Sequence, residues 1–166
     1  MDTSYDVIVI GLGAVGAATT YQLAKAGARV LGIDRYAPPH AFGSSHGETR
    51  ITRLACGEGP EYTAFARRSH AIWRDLERAT GETLLTQNGL LVISGPGERA
   101  AAHGKEDFLN STAAIARAND VPHERLDDAA IRRRFPAFAV ADGDEAYFEP
   151  EAGFLFPERC VAVEIE

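Results

Sequence analysis

Residues 5–16 read YDVIVIGLGAVG, and this stretch decides the fold. Its first half is a β-branched run that predicts a buried parallel strand from Tyr5 to Ile10. Its second half has the pattern GxGxxG and opens a predicted helix from Ala14 to Ala26. A second predicted strand, Arg29 to Asp34, completes a βαβ unit of about 30 residues. The predicted fold class is therefore α/β, beginning with a Rossmann-like βαβ unit.

The glycines of this pattern have separate physical tasks. Gly11 permits a tight turn, Gly13 lets the backbone approach a pyrophosphate, and Gly16 lets the helix pack against the strand. The helix N-terminus offers free N–H groups and a positive dipole to phosphates. Asp34 ends the second strand, where a carboxylate can accept hydrogen bonds from ribose hydroxyls. A glycine-rich turn without a ligand is the less favoured alternative, and the pattern alone does not separate NAD from FAD.

The segment after the second strand is long and polar. Residues 36–59 are interrupted by prolines and glycines and contain His40, His46, Arg50 and Arg53. Such a stretch inside a compact domain indicates function, and we predict one short helical turn in it, from Thr49 to Leu54. An NAD-dependent dehydrogenase, the rival enzyme class, would continue from Asp34 into another helix and strand.

The remaining sequence predicts further helices and strands. An amphipathic helix is expected over Glu61 to Thr80, followed by a hairpin of Leu84 to Thr86 and Leu90 to Ile93 about the turn Asn88-Gly89. The later predictions are a helix from Glu98 to Ala118, an edge strand from Val121 to Leu126, an Asp127-capped helix through Arg134, strands Ala146 to Phe148 and Gly153 to Phe156, and a helix starting at Pro157.

Two quoted segments resemble one protein family. Residues 43–53 read GSSHGETRITR after Pro38-Pro39-His40, and residues 148–156 read FEPEAGFLF. These resemble the N-terminal portion of the monomeric sarcosine oxidase and N-methyltryptophan oxidase family, which belongs to the D-amino-acid-oxidase-like FAD-dependent oxidoreductases. The resemblance extends over nearly the whole chain, and residues 43–53 are its specific part.

The resemblance implies FAD as the cofactor and assigns the site residues. His46 and Arg50 would lie close to the flavin ring, and Arg53 would help bind the substrate carboxylate; these three are the catalytic candidates. Donors and cations at those places stabilise the charge that a reduced flavin gains. The cofactor-binding candidates are Gly11, Gly13, Ala14, Val15, Gly16, Asp34, Arg35, Ser44, Ser45 and Thr49.

Other interpretations of these side chains remain open. Arg50 and Arg53 could be surface charges on a loop, and His46 could be a solvated loop histidine. The other histidines, His40, His70, His103 and His123, are interpreted as structural, and Trp73 as a core residue. Ser45, Glu48, Leu54 and Cys56 depart from the family pattern, which bears on substrate identity more than on the cofactor.

The implied reaction is oxidation of a secondary amine of an N-methyl or cyclic amino acid. FAD would take the hydride, the imine would hydrolyse to an aldehyde, and oxygen would be reduced to hydrogen peroxide. The domain prediction is 1–80 for the N-terminal part of an FAD-binding domain, 81–156 for part of a substrate domain, and 157–166 for a helix returning to the first. Members of the family are longer, so we expect an incomplete fold, inactive alone, with a complementing C-terminal fragment as a possible partner. The alternative from another class is a non-catalytic nucleotide-binding fragment.

Composition and net charge limit the classes of partner that we expect. The 166 residues are 45% hydrophobic with a net charge of −7, which does not indicate a nucleic-acid or anionic-membrane partner. The two cysteines are too few for a disulfide framework or a CxxC metal site. We therefore expect no metal. No targeting signal or membrane-spanning apolar run is visible, so we expect a cytoplasmic protein.

Overall fold

The computed structural model describes residues 4–96 and 107–166. Helices and strands alternate through these residues, which confirms the α/β class. They run in the order β1 (Val7–Ile10), α1 (Ala14–Lys25), β2 (Val30–Ile33), β3 (Arg50–Thr52), α2 (Tyr62–Thr80), β4 (Leu85–Thr86), β5 (Leu90–Ser94), α3 (Phe108–Ala118), β6 (Glu124–Asp127), α4 (Asp128–Arg134), β7 (Glu145–Glu149), β8 (Gly153–Leu155) and α5 (Pro157–Ile165).

Two compact units are formed from discontinuous segments. The first contains the residues through Arg50, together with Ile72–Leu85 and Leu155–Glu166. The second contains Ile51–Ala71 and Thr86–Phe154. The chain therefore passes from one unit to the other several times.

The first unit contains the predicted βαβ arrangement. Strands β1 and β2 pair in parallel with Val7 opposite Val30 and Ile10 opposite Ile33. Helix α1 connects them and packs against both strands and against α5. A small core around Leu76, Leu84 and Cys160 supports this layer, and Trp73 packs against it as expected.

One face of β1 carries apolar side chains in solvent. Ile8 is 56% exposed and Ile10 is 86% exposed, whereas Val7 and Val9 on the alternate positions are partly buried. Parallel strands normally bury both faces.

The second unit is built on an antiparallel sheet in the order β5-β7-β6. Leu90 of β5 pairs with Glu149 of β7, and Glu124 of the edge strand β6 pairs with Phe148. Helix α3 supplies Leu109 and Ala113 to a core that also contains Leu54, Ala55 and Tyr147. The sheet and helix therefore surround the segment that follows β3.

The predicted helical turn from Thr49 to Leu54 is wrong. Residues Arg50–Thr52 form strand β3 instead. Ile51 and Thr52 are β-branched and favour extended backbone, and the pairing of β3 with β8 stabilises this conformation. Strand β3 belongs to a second sheet with the order β3-β8-β4.

The predicted hairpin about Asn88-Gly89 is also wrong. Strand β4 belongs to the β3-β8-β4 sheet, while β5 pairs with β7. The corner has the backbone that Gly89 permits, with φ +87°, but the Gly89 N–H donates to the Ala152 carbonyl rather than across a hairpin. The Asn-Gly signal thus marks a change of sheet, because the partners of both strands come from a distant part of the chain.

Capping explains the later helices. The Asp127 carboxylate accepts a hydrogen bond from the Ala130 N–H at 2.7 Å and starts α4, as predicted. Pro157 occupies the first turn of α5, also as predicted. The predicted helix from Glu98 is seen from Phe108 onward, with Asp107 as its N-cap; residues 98–106, which include His103, lie outside the described residues. No helix in the described ranges is both long and apolar enough to cross a bilayer.

Candidate functional site

The turn between β1 and α1 is tight and is built on glycines. Gly11 has φ +90°, a left-handed conformation that favours glycine. A Cβ on Gly16 would lie 1.7 Å from the Gly11 carbonyl oxygen, so no larger residue fits there. Gly13 is the N-cap of α1 and has no capping side chain of its own. The first amides of α1 are therefore brought close to the strand end.

Asp34 is tied into the same turn. Its carboxylate accepts hydrogen bonds from the Leu12 N–H at 2.7 Å and the Tyr36 N–H at 3.0 Å, and His40 Nε2 lies 3.1 Å away. These amides, Tyr36 first and then Leu12, lower the pKa of Asp34 to about 2. The charged form is thus held at neutral pH. A carboxylate has about four acceptor sites. Among the described residues Oδ2 accepts only the Leu12 N–H, so it keeps capacity for a further donor such as a ribose hydroxyl.

Ser45 reaches the N-terminus of α1 from the polar segment. Its hydroxyl oxygen accepts a hydrogen bond from the Ala14 N–H at 2.9 Å. Gly13, Asp34, Ser44 and Ser45 accordingly line one pocket of about 230 Å³ in the first unit. The remaining lining residues are Leu12, Pro38, Pro39, His40, Gly43 and Val161.

The other cofactor candidates are more exposed. Val15 is 83% exposed at the start of α1. Arg35 is exposed, with its guanidinium carbon 5.5 Å from the Tyr36 ring centre. Thr49 is exposed, and its backbone N–H donates to the Gly47 carbonyl at 2.6 Å. Their side chains do not line the 230 Å³ pocket.

The loop that carries His46 is anchored by a distant carboxylate. Glu158, in the first turn of α5, accepts a hydrogen bond from the Gly47 N–H at 2.7 Å. This contact is the largest cause of the lowered pKa of Glu158, and the Glu48 backbone amide and His46 contribute in the same direction. His46 is half-buried beside this anchor. The loop conformation therefore depends on a residue more than a hundred positions away.

Arg50 folds back on the same loop. Its NH2 donates to the Ser44 carbonyl at 2.6 Å and its NH1 to the Thr49 carbonyl at 3.2 Å. Both acceptors are neutral, so within the described residues the guanidinium charge is not compensated by a carboxylate. A cation held in this way is available to an electron-rich ligand atom.

Arg53 belongs to the second unit and lines a different pocket. That pocket measures about 510 Å³ and is lined by Ile51, Thr52, Arg53, Cys56, Glu58, Tyr62, Phe65, Ala66 and Ser69. Arg53 NH2 lies 2.5 Å from Glu58 Oε1, and the Arg53 side chain is 23% exposed. Its Nε is buried and has no hydrogen-bond partner among the residues that the structure describes. A buried donor without an acceptor is what a carboxylate ligand would satisfy.

The pocket is apolar on its open side. Tyr62 is 48% and Phe65 71% exposed on α2, and Ile51 is 69% exposed on β3. The sequence predicts Tyr62 and Phe65 on the apolar face of α2, yet both are exposed. Of the larger apolar residues on that face, Leu76 is buried and Ile72 and Trp73 are partly buried. Burial raises the pKa of the Cys56 thiol, so Cys56 stays protonated in this environment.

Sequence reasoning missed three acidic residues and interpreted His40 only as structural. His40 contacts the Asp34 carboxylate, Glu58 pairs with Arg53, and Glu149 and Glu158 accept backbone N–H groups. One signal was available for Glu149. The period-two alternation of a strand places it on the same face as Tyr147, so a carboxylate was to be expected on a buried face.

Comparison with known proteins identifies the class. A sequence profile of the FAD dependent oxidoreductase family matches residues 6–164. The chain belongs to this family, and the cofactor of the family is FAD.

Individual relatives are named oxidases. The chain is 41% identical over 161 residues to the monomeric sarcosine oxidase of Bacillus sp. (strain B-0618), covering 97% of this chain and 40% of that protein. It is 42% identical over 157 residues to the N-methyl-L-tryptophan oxidase of Yersinia pestis (strain Pestoides F), covering 95% of this chain and 40% of that one. The resemblance found in the sequence is thereby confirmed. The chain spans about 40% of the length of these relatives.

Solved structures agree on the fold. The open form of NikD, described as an unusual amino acid oxidase essential for nikkomycin biosynthesis, is 28% identical with a TM-score of 0.77, over 99% of this chain and 40% of that one. An L-proline dehydrogenase from P. horikoshii, 20% identical with a TM-score of 0.80, shares the fold over 99% of this chain and 41% of that one.

Proposed function

We propose that this chain supplies the ADP-binding and substrate-carboxylate-binding residues of an FAD-dependent amine oxidase. The proposed substrate is an N-methyl or cyclic amino acid, and the proposed acceptor is oxygen, with an imine or aldehyde and hydrogen peroxide as products. The observation that carries this proposal is Arg53, which lines a 510 Å³ pocket and whose buried Nε has no acceptor among the described residues. The named relatives act on sarcosine and N-methyl-L-tryptophan, which supports an N-methyl amino acid.

Different residues of the chain have different roles in the proposed function. The α1 N-terminus and Asp34 hold the ADP half of FAD, by amide donors and a ribose acceptor respectively. FAD, when bound, supplies the two-electron acceptor. Arg53 orients the amino acid through its carboxylate, because a guanidinium binds that group with fixed geometry. His46 and Arg50 are the proposed donors toward the flavin ring.

The experiment is oxidation by FAD-loaded protein that contains this chain. We expect flavin absorption, oxygen consumption and peroxide with N-methylglycine or a bulkier N-methyl amino acid. Arg53→Ala should weaken use of these substrates by roughly 2 to 5 kcal/mol. Arg53→Lys should rescue only part, because an ammonium lacks the fork of donors. A colourless protein that binds NAD instead would refute the proposal.

The role of Arg53 in binding the substrate carboxylate can be tested separately from any role in folding. An amine without a carboxylate should be oxidised equally well by the Arg53 variants and the unmodified protein. Arg78→Ala is a suitable control, since Arg78 is also an arginine paired with an acid, Asp75, but lies within α2 with 72% of its side chain exposed. Equal losses for both substrate types would mean that Arg53 supports the fold or the flavin.

We also propose that polypeptide outside this chain covers the exposed face of β1. Ile8 and Ile10 present apolar surface there, and uncovered strands favour association. The occupant we propose is the part of the family fold that the relatives have beyond the matched 40%, whether continuous or a separate fragment.

This covering segment has a direct test. The 166-residue chain by itself should oligomerise on size-exclusion chromatography and become monomeric when the complementing segment is supplied. A monodisperse monomer with strong hydrogen-exchange protection in β1 would contradict it.

A second candidate function is a non-catalytic nucleotide-binding fragment. It is favoured by the exposure of the loop that bears Arg50 and Thr49. In the first unit this loop is open to solvent where the flavin ring is proposed to bind. Isothermal titration of the chain with ADP and FAD separates the two. Binding of ADP and FAD with equal affinity and no oxidation of amines would support the fragment.

A further inference from the structure

Glu149 is a fully buried carboxylate in the second unit, with 0% of its surface exposed. Its Oε1 accepts the Leu54 N–H at 2.6 Å, and its Oε2 accepts the Ala55 N–H at 3.2 Å and the Tyr147 hydroxyl at 2.7 Å. Burying a carboxylate is costly unless donors replace its water. The three donors meet that need, and two of them are consecutive backbone amides nearly a hundred positions away in the sequence.

These two amides belong to the segment that carries Arg53. The Leu54 N–H and the Arg53 carbonyl are in one planar peptide unit, so holding that N–H restricts the backbone rotation next to the Arg53 side chain. The Ala55 N–H restricts the next peptide unit in the same way. Leu54 and Ala55 are also buried in the core of the unit, so the segment cannot rotate as a surface loop would.

The Tyr147 hydroxyl lies within electrostatic range of both Glu149 and Arg53. Tyr147, which donates to Glu149, is also electrostatically coupled to the Arg53 guanidinium. Arg53 lines the pocket together with Glu58 and Cys56. Glu149 itself is not among the residues that line this pocket.

We propose that Glu149 is a positioning residue that aims Arg53 at a substrate carboxylate. The inference rests on the proposed function of Arg53. It assigns to Glu149 an effect on carboxylate binding that a purely structural buried acid would not have. Tyr147 completes the arrangement as a third donor that keeps the carboxylate in place, and burial together with its hydrogen bond to Glu149 raises the pKa of the Tyr147 hydroxyl.

The variants are chosen to keep the shape of the core. Glu149→Gln preserves volume, but its amide NH₂ cannot accept an N–H, so one of the two backbone bonds is lost together with the charge. Tyr147→Phe leaves the charge and both backbone bonds and removes only the hydroxyl donor. Glu151→Gln is the matched control, because Glu151 lies two residues further along and is exposed.

The test is binding of N-methylglycine to FAD-loaded protein, followed at the Arg53 Nε–H resonance by NMR, with thermal unfolding in parallel. We expect Glu149→Gln to weaken binding roughly tenfold or more, about 1.4 kcal/mol, Tyr147→Phe to weaken it less, and Glu151→Gln to change nothing. The Leu54 and Ala55 amide resonances should shift in Glu149→Gln. An unchanged affinity for N-methylglycine in Glu149→Gln would overturn the inference, whether or not the unfolding temperature falls. So would N-methylglycine that binds without shifting the Arg53 Nε–H resonance.

A second readout separates this inference from the proposed reaction. In Glu149→Gln, KM for N-methylglycine should rise while kcat stays within roughly threefold, because the loss is in binding rather than in the reacting step. If the unmodified protein binds N-methylglycine at Arg53 but oxidises no amine, the proposed function fails and the positioning role stands. If it oxidises amines but Glu149→Gln leaves KM unchanged, the positioning role fails alone.

Discussion

His40 Nε2 lies 3.1 Å from Asp34 Oδ1, at the point where the polar segment turns back toward the end of β2. Tyr36 and Phe42 pack around the same imidazole, with ring centres 5.2 and 5.8 Å away. The carboxylate proposed to read the ribose is thus held by the segment that follows it as well as by the glycine turn before it. Asp34 therefore links the glycine turn to the polar segment, and both border the proposed nucleotide pocket.

This link makes Asp34 the most informative position for nucleotide binding. Asp34→Asn removes the charge and turns one acceptor oxygen into a donor facing either the Leu12 N–H or the Tyr36 N–H. We expect ADP affinity to fall at least roughly tenfold, measured by isothermal titration. Asp142→Asn is the control, because the Asp142 side chain is 98% exposed and lies in the other unit. Unchanged ADP affinity would remove Asp34 from the site.

Acid should release the same contacts. The pKa of Asp34 is lowered to about 2 in the folded chain, below the value of about 3.9 in an unfolded one. A depressed folded pKa contributes stability above the unfolded value and loses it as pH falls toward the folded value. Denaturant midpoints measured between about pH 4 and pH 2 should therefore fall more steeply for the unmodified chain than for Asp34→Asn. Parallel curves would contradict this expectation.

Gly16 should tolerate no side chain. The Cβ of Gly16→Ala would lie 1.7 Å from the Gly11 carbonyl oxygen, and backbone cannot move away as a side chain can. We expect a loss of about 3 kcal/mol in the free energy of unfolding, seen as a lower urea midpoint. Gly43→Ala is the control, since its Cβ would meet only His40 Cε1 at 3.9 Å. Similar midpoints for both variants would show that the turn is not close-packed.

Glu58 should compete with the substrate for Arg53. Its carboxylate lies 2.5 Å from Arg53 NH2 and is itself 40% exposed, so an incoming carboxylate must displace it. Glu58→Gln should lower KM for an N-methyl amino acid by roughly threefold to tenfold with little change in kcat. Glu61→Gln, an exposed neighbour, should leave both unchanged. A higher KM in Glu58→Gln would show that Glu58 supports the binding geometry.

Glu164 should make the first unit less stable as pH rises. Burial raises its pKa to about 7, and only 5% of the residue is exposed. An acid whose folded pKa is raised contributes no penalty below its unfolded value near 4.5, and stability then falls as pH rises to about 7. Glu164→Gln should abolish this fall and raise the unfolding temperature at pH 8. Glu166→Gln, exposed on the same helix end, should not.

The sequence by itself determined the βαβ unit, the glycine turn, the caps at Asp127 and Pro157, and the resemblance that names the cofactor. These features depend on residues close together in the chain, where backbone sterics and hydrogen-bond capping decide the outcome. Only the tertiary structure decided that Arg50–Thr52 is a strand and that Asn88-Gly89 joins two sheets. It also decided the partners of the Leu54 and Gly47 amides, because Glu149 and Glu158 accept their hydrogen bonds across 95 and 111 positions. A carboxylate can satisfy an amide at any sequence distance, so such contacts have no local signature, and packing alone selects them.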